Sequence, residues 1–446
     1  MKAFKHILLG ALMLMGCACG VANAQTKEKP KKVIIAVNTY DVGYFVDSKG
    51  NKLFNKQFEG VGKFSEGLAG VKQNGKYGFI NTKGEKVAPC IYDDVWRDFS
   101  EGLACVEQNG KYGFINTKGE EVAPCIYDGA ENFSEGLAQV WQYGKGHGFI
   151  NTKGEEVAPC IYDDAENFSE GLARVEQNGK WGFINTQGEE VAPCIYDFAG
   201  GFSEGLSSVE QNGKWGYINA KGKVVIPCIY DGAGDFSEGL AGVEQNDKWG
   251  LINTKGEVVV PCIYDFAGVF HEGLAHVKQN GKWGYINAKG KVVIPCIYDG
   301  AWNFSEGLAG VEQNDKWGFI NTKGEVVIPC IYDGAGGFLE GLAHVKQNGK
   351  WGFINTKEEV VVPCIYDEAG RFSEGLDRVK QNGKWGFINT KGEVVVPCIY
   401  DEVYSFSKDL AWVKQNGKWS IINTEGKVIV ADGGSWHSTS WSVVEL

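Results

Sequence analysis

Two carboxylates keep returning along this chain, the glutamate of "FSEG" (Glu306 in one copy) and the aspartate closing "IYD" (Asp333). A neighbouring pair of acids is what glycoside hydrolysis requires. A catalytic pair is needed once, however, whereas a carboxylate that stabilises a turn is needed in every copy of the turn, so the recurrence points to a structural role. Cysteine follows proline at 90, 125, 160, 194, 228, 262, 296, 330, 364 and 398. Each stands singly, without the clustered Cys or His partners a metal site uses. Equivalent positions on stacked sheets lie about 10 Å apart, too far for a disulfide, which needs Cα atoms within about 7 Å. These cysteines are therefore expected to be small core residues, with Cys105, outside the register, as a free thiol. His147, His271, His276, His344 and His437 are scattered, and the sequence holds neither a Gly-rich phosphate loop nor an HExxH motif. No enzymatic activity and no cofactor or metal is expected.

The elements that carry these residues form an array. The cysteine intervals are 35, 35 and then 34 throughout, and alignment without gaps extends the pattern to twelve units over 33–432, with degenerate first (33–66) and last (410–432) members. In "FSEGLAGVEQNDKWGFINTKGEVVIPCIYD" (304–333), "LAGVE" reads as a strand. The "QNGK" of most units supplies an Asn-Gly hairpin turn, and "KWGFIN" a second strand. The β-branched "EVVIPCIYD" is a third, which Pro329 restricts to an edge or a bulge. Alternation makes both faces of this meander apolar, so each sheet must be covered by its neighbours. Gly318 is expected to let the next unit's backbone come close. The fold expected is all-β, a tandem array of twelve three-stranded antiparallel units of about 34 residues in an open twisted stack; a closed, propeller-like ring is the alternative. The open form is preferred because the units run in one strand order throughout, leaving no split unit to join the ends. The segment 433–446 reads as a strand capping the last unit, because an exposed edge invites aggregation.

The order Trp-Gly, "IN-x-x-G", "V-V/I-P", "YD", "FSEGLA" resembles the bacterial WG-repeat family over about 400 of the 446 residues. The tryptophans of the motif are Trp181, Trp215, Trp249, Trp283, Trp317, Trp351 and Trp385, while Tyr77, Tyr112 and His147 take their place in early units. The resemblance implies a β-rich repeat scaffold of the kind found on exported or envelope-associated proteins. It implies no activity, since the family has no shared catalytic or ligand motif to carry over.

At the N-terminus, Lys2 and Lys5 precede an apolar run that ends at Ala22-Asn23-Ala24, which reads as an export signal over 1–24 followed by a polar tether, 25–32. "LMGC" at 14–17 offers a second route, a lipidated Cys17, which would be the one attachment to a membrane. The expected address is periplasm, cell surface or medium. Formal net charge is −12, and loss of 1–24 removes two lysines and no acids, giving −14. Phosphate backbones are repelled by such a chain, and nucleic acid is not an expected partner.

Local function is sought where copies differ. One variable track is the third residue of "LAxV", including Arg174, His276, His344, Arg378 and Trp412. The other follows "YD", with Trp96, Arg97, Glu131, Glu166, Phe198, Phe266, Trp302, Arg371 and Tyr404. Aromatic and arginine side chains along one side of an array suit recognition of a protein or envelope component. A carbohydrate-binding module, with Trp and Tyr stacked on sugars, is the alternative reading. Drift on a tolerant, solvated face would give the same variability.

Overall fold

The computed structural model describes residues 31–38, 42–95, 98–431 and 440–445; Trp96, Arg97, Cys17, His437 and the segment 1–24 expected to direct export lie outside them. The described chain forms twelve antiparallel sheets. The ninth shows the plan: strand a is Gly300–Ala301, b is Leu308–Gln313, c is Lys316–Asn321 and d is Val326–Tyr332, hydrogen-bonded in that order. Eleven of the twelve described sheets are thus four-stranded rather than three-stranded, because residues just after one unit's "YD" become the first strand of the next; the third, Leu103–Gln108, Lys111–Asn116 and Glu121–Tyr127, has three described strands. A tight turn joins a to b, with Glu306 at φ 54° and Gly307 at φ 79°. Glutamate rarely adopts a positive φ. Here its carboxylate accepts the Gly341 N–H of the following blade at 2.9 Å, and the Ser305 hydroxyl donates to Phe338 O at 3.0 Å. The same clasp joins Glu135 to Glu170 and Gly171, and Glu374 to Lys408 and Asp409.

Strand d explains the Trp-Gly motif. Trp317 pairs with Tyr332 and Phe319 with Ile328, so two extra residues bulge out of d between these pairs. The bulged backbone occupies the space a side chain at 318 would need: a Cβ there would lie 2.5 Å from Ile328 O and 2.6 Å from the Pro329 carbonyl carbon. Gly318 therefore admits the backbone of its own unit, not that of the next. The bulge also breaks the simple alternation expected along "VVIPCIY". Ile328 and Tyr332 are buried toward the next blade, while Val326 and Ile331 are exposed.

Faces of successive blades meet in one apolar core per seam. At the seam between blades 9 and 10, Leu308, Phe319, Ile328 and Tyr332 pack against Ala335, Phe338, Ala343, Val345 and Ile354. Phe319 and Phe338 meet edge to face, with centroids 4.9 Å apart. An open row of twelve blades has eleven such seams, and a ring has twelve. The twelfth exists: Ile35, Val37 and Val46 of the first blade pack against Leu410, Trp412, Trp419, Ile421, Ile429 and Val430 of the last. The ends are also joined through the backbone. Strand Ser440–Glu445 pairs antiparallel with Lys31–Asn38, from Lys31 opposite Glu445 to Ala36 opposite Ser440. It takes the place of strand a in the first blade, whose order is Lys52–Phe58, Gly43–Asp47, Lys31–Asn38, Ser440–Glu445. The protein is therefore a closed twelve-bladed ring and not an open stack. The C-terminal strand completes the first unit rather than capping the last, and this is the split unit that the regular strand order had seemed to exclude.

Candidate functional site

The two variable tracks turn out to be one. In blade after blade, the third residue of "LAxV" on strand b accepts a backbone hydrogen bond from a residue just after strand a. Examples are Glu166 N–H to Arg174 O, Trp302 N–H to Gly310 O, Gly336 N–H to His344 O and Tyr404 N–H to Trp412 O. The two members are matched in size. A Cβ at Gly336 would fall 2.0 Å from the His344 ring, one at Gly268 would fall 2.3 Å from the His276 ring, and one at Gly310 would fall 2.8 Å from the Trp302 ring. A large residue on one strand thus requires glycine on the other, so part of the variability is steric compensation within each blade.

Each pair lies beside the tryptophan of its own blade. Trp302 stacks on Trp317 at 4.3 Å, His276 lies 5.2 Å from Trp283 and His344 5.1 Å from Trp351. The arginines take the same place, Arg174 over Trp181 and Arg378 over Trp385, both at 5.7 Å. Both arginines, however, donate to the protein itself, although Arg378 Nε is buried without a partner. Arg174 donates to Glu166 and to Ala199 O of the next blade, and Arg378 donates to Val403 O at 3.4 Å. Trp412 is 5% exposed, edge to face with Trp419 in the seam that closes the ring. Tyr404 is exposed, 5.6 Å from the same Trp419.

Blades 8 to 10 (266–298, 300–332 and 334–366) differ. Their sequence-selected residues His276, Trp302 and His344 converge on a single cavity of about 620 Å³, joined by Asn303, by Arg371 from blade 11 (368–400) and by the backbone at Gly336 and Gly337. Burial holds the His276 imidazole below its usual pKa, although the Asn303 amide within hydrogen-bonding reach opposes this. Its Nδ1 is buried without a partner. Burial, reinforced by the nearby Arg371 cation, takes His344 down to about 4. At neutral pH both rings are uncharged, each with one N–H donor and one nitrogen acceptor. The cavity therefore combines neutral hydrogen-bonding rings, an amide, an indole and one guanidinium, and that guanidinium sits in an acidic protein.

A smaller space of about 170 Å³ in blade 4 (129–162) is lined by Gln139, Trp141 and His147. There the Gln139 amide already meets His147 Nδ1 at 2.7 Å and Ala165 O at 2.9 Å. Asn303 and Asp377 were not singled out from the sequence. Asp377 carried a visible signal, since it breaks "LAxV" as "LDRV". It is 1% exposed, neither carboxylate oxygen is hydrogen-bonded, and it lies beside Leu342, His344 and Arg371 in a crevice sharing residues with the main cavity. Desolvation raises its pKa to about 7 against the pull of Arg378.

The recurring groups are in repeating structural contacts. Asp333 pairs with Lys316 and accepts the Asn348 N–H at 2.8 Å, which holds its carboxyl below the usual range. The Cys330 thiol reaches across Gly318 to Val311 O at 3.6 Å, and burial raises its pKa. No described cysteine is in a disulfide; most are half-buried, and Cys105 is buried. Among the described residues no group of three or more His, Cys, Asp or Glu is placed to hold a metal ion.

Among solved structures, the chain resembles the extracellular domain of the hybrid two component system BT3049 from B. thetaiotaomicron, at 8% identity over 92% of this chain and 70% of that one, TM-score 0.23. A eukaryotic initiation factor overlaps 92% of this chain and 98% of its own at 12% identity, TM-score 0.36. The computationally designed Ika8 protein overlaps 59% and 93% at 7% identity, TM-score 0.29. These overlaps are too slight to bear on function, and no curated protein matches the chain. The model of the WG containing repeat, by contrast, matches eleven times in succession, from 45–77 through 181–215 and 317–351 to 385–419. Matched along almost the whole of its ring, the chain belongs to the WG containing repeat family.

Proposed function

We propose that the protein is an exported, non-enzymatic binding scaffold, and that the cavity of blades 8 to 11 is where it holds its partner, a component of the cell envelope. One observation carries this reading. Side chains that differ from copy to copy, His276, Trp302, Asn303, His344 and Arg371, share one cavity of about 620 Å³, a size usual for ligand sites. Equivalent groups elsewhere are spent on the protein itself, as Arg174 is on Glu166 and Ala199. Catalysis is not part of the proposal, because the recurring acids hold turns and seams and the two imidazoles of the cavity are not paired with a nucleophile. Export is supported by the charged and apolar pattern of residues 1–24, with Cys17 as the alternative processing point. The other sequence-selected residues, Arg174, Arg378, Trp412, Trp96, Arg97 and Tyr404, are left outside the proposed site.

The test is affinity capture from solubilised envelope, with the purified protein beside a variant carrying Trp302→Gly, Asn303→Ala and Arg371→Gln. Capture of one component by the parent and its loss with the variant is the expected result. Equal capture by both proteins would remove the cavity from the reading.

A further inference from the structure

We propose that this cavity recognises a carboxylate-bearing saccharide, with Arg371 on the carboxylate, His276, Asn303 and His344 on hydroxyls, and Trp302 against a sugar face. The inference rests on the binding reading above and supplies its chemical class. Every element comes from the lining. Arg371 has neither an acidic partner nor a hydrogen-bond partner among the described residues, although acids outnumber bases by 56 to 44 in the chain. A guanidinium left free in an acidic protein, at the mouth of a cavity, is matched by a planar anion that it can grip with two parallel N–H groups. The surrounding groups would suit a bare anion poorly, because neutral imidazoles and an amide add no charge. They suit hydroxyls well, since each neutral ring and the amide both donate and accept. The indole of Trp302 offers the flat apolar surface that the C–H face of a pyranose covers, and its stacking on Trp317 at 4.3 Å fixes its plane.

An acidic peptide is the competing occupant, and the cavity favours it less. Peptides commonly bind by adding a strand to a sheet edge. Three of the four strand-a edges around the cavity, Gly300–Ala301, Gly334–Ala335 and Glu368–Ala369, are two residues long, too short for that mode, and the longer one, Phe266–His271, belongs to the blade that gives the cavity His276 alone.

The experiment is calorimetric and tryptophan-fluorescence titration of the purified protein with trisaccharides of galacturonic, glucuronic and mannuronic acid, their neutral hexose counterparts, and benzoate. Saturable binding of at least one uronate is expected, with the neutral counterpart weaker by about tenfold or more. Arg371→Gln should weaken that uronate by about tenfold or more, bringing it to the level of its neutral counterpart, as expected for loss of a charge-assisted pair. Arg371 is exposed, so an unchanged thermal midpoint will show that the variant folds. Binding by none of the uronates overturns the proposal, as does equal binding of the neutral sugars or indifference to Arg371→Gln. Benzoate binding through Arg371 without uronate binding overturns the saccharide and leaves a planar carboxylate. If no uronate binds but the capture experiment still loses its component with the triple variant, the ligand class fails and the binding site stands. If that capture is also unaffected, both readings fail.

Discussion

The seam that closes the ring and the seams inside it are held by different means. Between blades 9 and 10 the apolar core is flanked by the polar clasp of Glu306 on Gly341 N–H and Ser305 on Phe338 O. Between blades 12 and 1 the residue in the place of Glu306 is Lys408, so the glutamate of the clasp is missing at that place. The closing seam instead has Trp412 and Ile35 at places where no other unit carries tryptophan or isoleucine, packed with Ile429, Val430, Val37 and Val46, and a strand contributed by the far end of the chain. Repetition supplies identical joints cheaply in sequence, while closure needs residues that occur once.

The difference is tested most severely by removing residues 432–446. Six register pairs between Ser440–Glu445 and Lys31–Asn38 disappear. At a net 0.5–1.5 kcal/mol per hydrogen bond and about one bond per pair, roughly 3 to 9 kcal/mol should be lost. A thermal midpoint lowered by many degrees, with an enlarged radius in small-angle scattering, is the expected outcome. A midpoint equal to that of the parent would mean that the seam core alone closes the ring.

The seam between blades 10 and 11 is an internal joint with a built-in flaw, the buried Asp377. Below its ordinary value of 3.8 the carboxyl is protonated in both the folded and unfolded protein, and costs no ionisation energy. Between 3.8 and about 7 the unfolded chain ionises while the folded one keeps its proton, so stability falls as pH rises through this window. Asp377→Ala restores the residue found at this place in most units and should raise stability by roughly 3 to 4 kcal/mol at pH 8, with little change at pH 4. Asp333 and its equivalents act in the opposite sense. Their lowered values stabilise the seams above the carboxylate range and lose that contribution as pH falls through it. Denaturant midpoints of parent and variant at both pH values decide the matter. A gain independent of pH would show that bulk, not charge, is the flaw.

A third test separates seam from blade. Gly318→Ala forces a methyl into the bulge of strand d, 2.5 Å from Ile328 O, and should cost about 2 to 3 kcal/mol. Gly307→Ala meets nothing within 4 Å and carries only the cost of a positive φ, about 1 to 2 kcal/mol. Urea unfolding of the two variants should rank them in that order. The reverse ranking would mean that strand d can withdraw from strand c.

Strands b, c and d were legible because each is six or seven residues of apolar or β-branched pattern bounded by turn residues. Strand a was not. Two residues such as Gly300–Ala301 show no alternation, and the turn after them places a glutamate, Glu306, where turn signatures call for Asn or Gly. Closure was hidden for another reason: "SWSVVE" and "KKVIIAVN" each look like an unremarkable strand, and nothing local says that they pair across some 400 residues. The candidate site was half visible. Variability pointed to His276, Trp302 and His344, but their convergence depends on how neighbouring blades face one another in a ring, and a list of copies does not contain that. The glycines opposite them, Gly268, Gly310 and Gly336, could have been read as steric partners had the two tracks been compared position by position.

The finest test of the comparison concerns the clasp itself. Glu306→Gln keeps an acceptor oxygen within reach of Gly341 N–H but removes the charge that strengthens the bond, so the expected cost is about 1 kcal/mol. Lys408→Gln, at the same place in blade 12, removes an exposed cation that cannot play the carboxylate's part and should change stability by less than about 0.5 kcal/mol. Both substitutions create the same residue in the same turn, with the same left-handed backbone, φ 54° at Glu306 and 52° at Lys408. The conformational cost of glutamine there is therefore common to the two variants, and the difference in their midpoints reports the carboxylate clasp. Should the two variants unfold together, the glutamates would be passengers of the turn, and the apolar cores would hold the internal seams just as they hold the closing one.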